Sequence, residues 1–369
     1  MKFRTVILTS LFVLLYWIAN AQSDTSKISL LFTGDIMGHD SQIQAAWNVK
    51  EKKYDYSSCL AHLNPIIKQA DIAIGNLELT LAGPPYKGYP AFSSPDALAT
   101  NLKEAGFDVL VTANNHSCDK GKKGITRTID VLDSLEMLHT GTFYNQVHRD
   151  SIYPLIIKKN NWKIGLLNYT YGTNGIAVPK PTIVNLIDTI QIAKDILQIN
   201  SDSVDIIIAF MHWGLEYQSL PDKNQIMLTN WLYNKGVQLV IGAHPHVLQP
   251  IVRDTIKQRL VAYSLGNFIS GQRDRYKNGG MLLQIELEKI QTANNPKNIL
   301  IKNAGYYLHY MHKDANKTYV AIPAYTEGRE NEFLDNQTAI EAFQLFLKDT
   351  RALFEKHNVC ANELMFRPD

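Results

Sequence analysis

Short apolar runs alternate with helix-spaced stretches along most of this chain. Between Ile28 and Phe268 the runs fall at 30–34, 71–75, 108–112, 153–157, 163–169, 204–210, 237–241 and 260–264, each rich in Val, Ile and Leu. Runs this short and bounded by turn residues predict buried strands. Between them, 57–69, 95–105, 121–135, 186–199 and 221–234 carry apolar residues at helical spacing. Ser94-Pro95-Asp96 predicts a capped helix start and Gly106 a stop. Such alternation predicts an α/β core whose sheets are covered by helices.

After Gly271 the pattern changes. RDRYKNGG reads as a polar loop, MLLQIELEKI alternates as a strand should, and a further strand pair is predicted at 298–303 and 306–311. Residues 338–356 read as one amphipathic helix. We therefore divide the chain into 1–21, a core at 22–270, and a C-terminal α+β extension at 271–369 that packs on the core.

Polar chemistry recurs where the apolar runs end. LLFTGD closes on Asp35, IAIGNLE on Asn76 and Glu78, VLVTANNH on Asn115 and His116, IIIAFMHWG on His212, and GVQLVIGAHPH on His244 and His246. Carboxylate, amide and imidazole groups at strand ends are donors that loops can gather around a metal. Each also has a plainer reading. Asp35 can cap a turn, Glu78 can be a solvated loop acid, and a single His can be an ordinary rim residue. His39 is four residues past Asp35 and can reach the same region, whereas Met37 reads as core.

His244 and His246 flank Pro245, which disfavours helix at the residue before it, so an extended segment would turn both rings to one side. His116 can protonate a leaving oxygen or hold a phosphoryl group, and Asn115 can offer its carbonyl oxygen. Glu216 reads as an acceptor that orients an imidazole, a substrate contact or a surface acid, and Asn267, in YSLGNF, as a pocket-lining residue or part of a glycine turn.

Composition narrows the class. The chain has 369 residues, 45% hydrophobic and 20% charged, enough for a large core. Its formal charge is +2. Removing Lys2 and Arg4 with the leader leaves it near neutral, with no basic stripe for nucleic acid. That leader has a basic start, an apolar stretch from Val6 to Ala19 and Ala19-Asn20-Ala21 as a small-x-small cleavage site, the pattern of a secretory signal. An uncleaved anchor is the alternative. Export to the periplasm or cell surface, soluble or held at a membrane, is the expectation. Cys59, Cys118 and Cys360 allow at most one disulfide, so packing carries stability, and Cys118 reads as a buried thiol beside the site.

Six motifs in order, GDIM, GNLE, TANNHSCDKG, HWGLEY, GAHPHVLQ and YSLGNF, resemble the CapA family of poly-γ-glutamate capsule synthesis proteins. Through that family the chain is similar to the calcineurin-like metallophosphoesterase superfamily. The resemblance spans residues 28–268. It implies a four-layer sandwich, two packed β-sheets flanked by helices, with the centre at the strand ends.

Carried over by position, it implies Asp35, Glu78, Asn115, His212, His244 and His246 as metal ligands, and His116 with Asn115 as the catalytic pair. Glu216 and Asn267 become candidate substrate contacts. One or two divalent ions, Mn, Fe, Zn or Mg, would be the cofactor. The chain departs from the superfamily at Met37, where a histidine is usual, and at Asn76, where an aspartate is usual. Both changes weaken the first metal position and favour one ion over two.

The expected function is metal-dependent hydrolysis or transfer, of the phosphoesterase type, in the synthesis, export or attachment of an anionic cell-surface polymer or a phosphorylated carrier. The alternative is a non-catalytic, polymer-binding subunit of a membrane synthase complex.

Overall fold

The apolar runs do form strands, and they sort into two sheets. A computed structural model describes residues 24–201, 204–292 and 295–366. The expected leader, 1–21, lies outside the described residues. Strands β1 (Asp24–Ile36), β2 (Ile72–Leu77) and β3 (Val109–Val111) run parallel in a nine-stranded sheet. Strands β4 (Trp162–Thr170), β5 (Ile206–His212) and β6 (Leu239–Ala243) run parallel in a second sheet of six. The chain then returns to the first sheet through β7 (Asn267–Ile269), β8 (Gly279–Thr292) and β9 (Asn295–Lys313).

Alternation along each strand explains the layering, because successive side chains point to opposite faces. Leu30 and Phe32 of β1 join Ile206, Ile208 and Phe210 of β5 and Ile241 of β6 in one cluster between the sheets. Leu31, Ala73 and Leu110 face the other way, against apolar residues of 57–67 and Ala97–Ala105. On the second sheet's outer face, Leu167, Ile207 and Val240 pack on Ile192, Ile196 and Leu232 of the helices Thr189–Ser201 and Lys223–Asn234. The order is therefore helix, sheet, sheet, helix. Each fully buried Leu, Ile or Phe contributes about 1.5–3 kcal/mol.

Several local expectations shift. The stretch 57–69 is two short helices, Ser57–Leu60 and Asn64–Ile67, with Pro65 in the first turn of the second, where its missing N–H costs nothing. Ser94 does not cap its helix: the hydroxyl has no partner, and the Asp96 carboxylate pairs with Arg127 instead. Gly106 does end that helix, in a left-handed conformation with φ 111°. The two strands predicted at 298–303 and 306–311 are one, β9, paired antiparallel with β8. The amphipathic stretch near the C-terminus is the helix Gln337–His357.

The segment after residue 271 is woven into the first sheet. β8 pairs antiparallel with β1 over ten residues, from Asp24–Gln291 to Thr33–Leu282, and Phe343, Phe346 and Leu347 of the C-terminal helix belong to the cluster between the sheets. β1 thus lies between β8 and β2, with β7 parallel beside its last residues.

Candidate metal centre

Parallel strands present their carboxyl ends on one edge, and in α/β folds ligand sites form there. Asp35 is the penultimate residue of β1, Glu78 follows β2, Asn115 and His116 follow β3, His212 ends β5, His244 and His246 follow β6, and Asn267 begins β7. All eight are at most 3% exposed, so their polar atoms must satisfy one another or a bound ion. Glu216 alone of the predicted residues is exposed. It lies on the rim, close enough for its charge to help raise the pKa of both Glu78 and Tyr171.

The donors form two groups. Asp35, Glu78 and His212 each bring one ligand atom within 4.8 Å of the others, and Glu78, His244 and His246 do the same. Glu78 belongs to both. Its Oε1 lies 3.6 Å from His212 Nε2 and 3.7 Å from His246 Nε2, and accepts no hydrogen bond; His244 Nδ1 also lacks a partner. Buried orphans of this kind each cost about 1–3 kcal/mol, unless a cation completes them. Asn115 Oδ1 lies 2.8 Å from His212 Nε2, so the amide adds an oxygen to the first group.

Neighbouring groups fix the imidazoles. His246 Nδ1 faces Asp35 Oδ2 at 3.0 Å and Asn267 Oδ1 at 3.1 Å; between two acceptors it carries the proton, which leaves Nε2 as the ligand atom. The Asn267 amide nitrogen donates to Gln272 and to the Lys277 carbonyl, which holds the oxygen toward the ring. Asn76 occupies the gap between carboxylates: its amide nitrogen donates to Asp35 Oδ1 at 2.8 Å and lies 3.4 Å from Glu78 Oε2. His116 Nδ1 meets Asp119 Oδ2 at 2.8 Å, the Phe92 N–H donates to that same oxygen, and the Phe92 ring stands edge-on to the imidazole. The proton on Nδ1 makes Nε2 the free basic atom.

Burial drives the electrostatics. It works to raise Asp35, but the His246 hydrogen bond, with the nearby His246 and His212 imidazoles, wins and holds that carboxylate well below its usual range. Glu78 is pushed well above its range, by burial and then by the neighbouring Asp35. Burial lowers His244 to about 3 and sends His212 down strongly as well. Both imidazoles are therefore neutral at physiological pH, the form a metal would need, and Glu78 would release a proton to a metal. Carboxylate, imidazole and amide oxygen together suit Mn, Fe, Zn or Mg. The residues fit a divalent ion on this ground and on the orphaned atoms.

The local backbone differs from expectation. His244 and His246 are not extended: their φ angles are +98° and +58°, a left-handed region that costs a non-glycine residue of order 1 kcal/mol or more. Two such turns about Pro245 bring the rings to 6.0 Å. His39 heads the helix Asp40–Ala46, where its Nδ1 accepts the Gly271 N–H, and it joins neither donor group. Met37 is buried, and Cys118 is a buried thiol pushed up to about 11, chiefly by burial. Asn114 is structural, donating to the Leu77 carbonyl and accepting the His116 N–H.

Sequence reasoning missed Tyr171 and Tyr217. Tyr171 directly follows β4, and its ring centre lies 4.5 Å from that of His244 and 6.4 Å, nearly parallel, from that of His212. Tyr217 stands 6.1 Å from His246. The end of β4, NYTYG, sits at the same edge as the other strand ends and was the available signal for Tyr171.

Residues 29–272 match the family model described as Bacterial capsule synthesis protein PGA_cap. The chain is 29% identical over 287 residues to the capsule biosynthesis protein CapA of Bacillus anthracis, a match covering 73% of this chain and 66% of that protein, just under two thirds of its length. It is 28% identical over 300 residues to the PGA biosynthesis protein CapA of Bacillus subtilis, covering 76% of each. Among solved structures it is similar to the calcineurin-like phosphoesterase YfkN of Bacillus subtilis, with a TM-score of 0.46 and 13% identity over 89% of this chain and 98% of that one.

Proposed function

Because this chain belongs to the bacterial capsule synthesis protein family, we propose that it is an exported protein of capsule-polymer synthesis, export or attachment whose buried strand-edge centre binds divalent metal and acts on a phosphoester. The observation that carries this reading is the pair of donor groups sharing Glu78. The loss of a histidine at Met37 and of an aspartate at Asn76 argued for one ion. A carboxylate common to both groups supports two. The Bacillus subtilis relative is named for PGA biosynthesis, and we extend that polymer class, poly-γ-glutamate, to this chain.

Bound metal would supply Lewis acidity and a template for in-line displacement. Asp35, His212 and Asn115 would hold one ion, His244 and His246 the other, and Glu78 both. Around them, Asp119 keeps a proton on His116 Nδ1, so Nε2 can hold a proton for a leaving oxygen or a hydrogen bond to a phosphoryl oxygen. Asn267 would keep His246 turned toward a bound ion, and Asn76 separates two carboxylates that would otherwise repel.

Elemental analysis of gently purified protein tests the reading. Near-stoichiometric Mn, Fe, Zn or Mg is expected, and none above background overturns it. Assay against generic phosphodiesters with several divalent metals then separates enzyme from binding subunit: turnover lost in His116→Ala supports the first, and tight polymer binding without turnover the second.

A further inference from the structure

Two tyrosines stand out because they are half-exposed while touching buried histidines. Tyr171 is 48% exposed and Tyr217 46%, yet each is in ring contact with an imidazole of the centre. The rings form a row, Tyr171 to His244 at 4.5 Å, His244 to His246 at 6.0 Å, and His246 to Tyr217 at 6.1 Å. Main-chain bonds pin both ends: the Tyr171 N–H donates to the His212 carbonyl at 2.9 Å, and the Tyr217 N–H to the Pro245 carbonyl at 2.8 Å. Tyr217 holds a φ of +65°. A bulky residue there is strained, and glycine or asparagine would sit more easily.

Neither ring is needed to fill a core, since about half of each faces solvent. Neither offers a metal donor of the kinds that form the two groups. What they do offer is two flat apolar faces at the ends of the histidine pair. We propose that Tyr171 and Tyr217 are the walls of a substrate slot over His244 and His246, gripping the flat amide units of an unbranched polyamide.

The polyamide assignment rests on the capsule-polymer reading above; the slot rests on the ring geometry. Glu216, next to Tyr217 in sequence and exposed, offers a carboxylate that could accept an amide N–H. Lys277 holds its ammonium 4.2 Å from the Tyr217 ring centre and pairs with the exposed Asp274, so a cation that a polymer carboxylate could compete for stands beside that wall.

The test uses the full chain loaded with Mn(II), with metal content measured on the same samples as calorimetric titrations. Naphthyl phosphate and methyl phosphate share the group that meets the metals and differ in the flat group the slot would grip. Stacking predicts that the naphthyl ester binds tighter by about 3- to 10-fold, the range of an aromatic pair. Tyr171→Ala and Tyr217→Asn should remove that preference and leave methyl phosphate affinity and bound metal as they were. Asparagine tolerates the left-handed backbone, so Tyr217→Asn should melt no lower than the parent.

Equal affinity of the two esters for the parent protein overturns the slot. So does loss of metal in Tyr171→Ala with both affinities falling together, which would make that ring a support for the histidines. Binding of γ-linked oligoglutamate that weakens in the same two variants supports the polyamide. Failure of the parent to bind it, with the naphthyl preference intact, overturns that ligand and leaves the walls standing. Absence of metal from the parent is instead the failure of the metal reading beneath.

Discussion

Asn267 fixes the orientation of His246: its amide oxygen lies 3.1 Å from Nδ1, on the side of the ring away from Glu78 Oε1, which is 3.7 Å from Nε2. A group that sets a ligand's tautomer typically governs metal affinity by about 10- to 100-fold. Asn267→Ala is therefore expected to weaken metal binding by that factor in competition with a fluorescent chelator, with little change in circular dichroism. Unchanged affinity would mean that Asp35 Oδ2 suffices to hold the ring.

Glu78 is the shared carboxylate, so its loss should reach both positions. Glu78→Gln is expected to strip metal from the whole site, a larger effect than the about 10- to 100-fold of an outer-shell change. The metal-free protein should not be weakened, because the substitution removes an acid buried beside Asp35. Metal stoichiometry together with melting after chelation checks both halves; retention of one ion per chain would show that the groups fill independently.

Gly34 precedes Asp35 where β1 passes against Gly266. A methyl added at Gly34 would lie 1.9 Å from the Gly266 carbonyl oxygen, a backbone atom with no room to yield. Gly34→Ala should destabilise by about 1–3 kcal/mol or more and, by moving Asp35, lower metal occupancy. Urea unfolding and elemental analysis on one preparation are the measurements.

His116→Ala, or Asp119→Asn, is expected to reduce phosphodiester turnover, by about 10²- to 10⁴-fold for loss of a general acid, while metal content holds. Turnover that survives both substitutions would remove the pair from the mechanism.

His309, which belongs to neither donor group, supplies a further pH dependence. It is fully buried, its Nε2 donates to the Phe268 carbonyl, and burial lowers it to about 4 despite that bond. A histidine lowered in the folded state contributes stability that is present above its unfolded value, near 6.5, and is lost as pH falls toward the folded one. Stability should decline between those values by up to about 1.4 kcal/mol per pH unit from this group. The slope of the urea midpoint against pH should be shallower in His309→Gln; identical slopes would refute the assignment.

Much of this was legible in the sequence. Parallel strands in an α/β fold end on one edge, so polar residues closing LLFTGD, IAIGNLE, IIIAFMHWG and VQLVIGAHPH had a physical reason to meet. What sequence could not supply was the backbone of His244 and His246. The bias that Pro245 imposes favours an extended residue before it, and tertiary contacts override that bias with two left-handed residues. The role of Asn76 was equally hidden, because an amide between two acids is a three-dimensional fact. Tyr217 closes the motif HWGLEY, but nothing in that motif announced that its ring would stand beside His246. The pairing of β8 with β1 was invisible for a different reason, since alternation announces a strand but not its neighbour.

That pairing has a bearing on when the centre can come into being. Leu30 finds its partner in Ile285, so the strand that carries Asp35 stays open along one side until the residues from Leu282 to Gln291 have been delivered. A chain threaded through a translocon in an unfolded state would reach the far side before its donors could converge. On the proposed reading of an exported, metal-binding protein, any ion captured would be drawn from the compartment of arrival and would report on that environment.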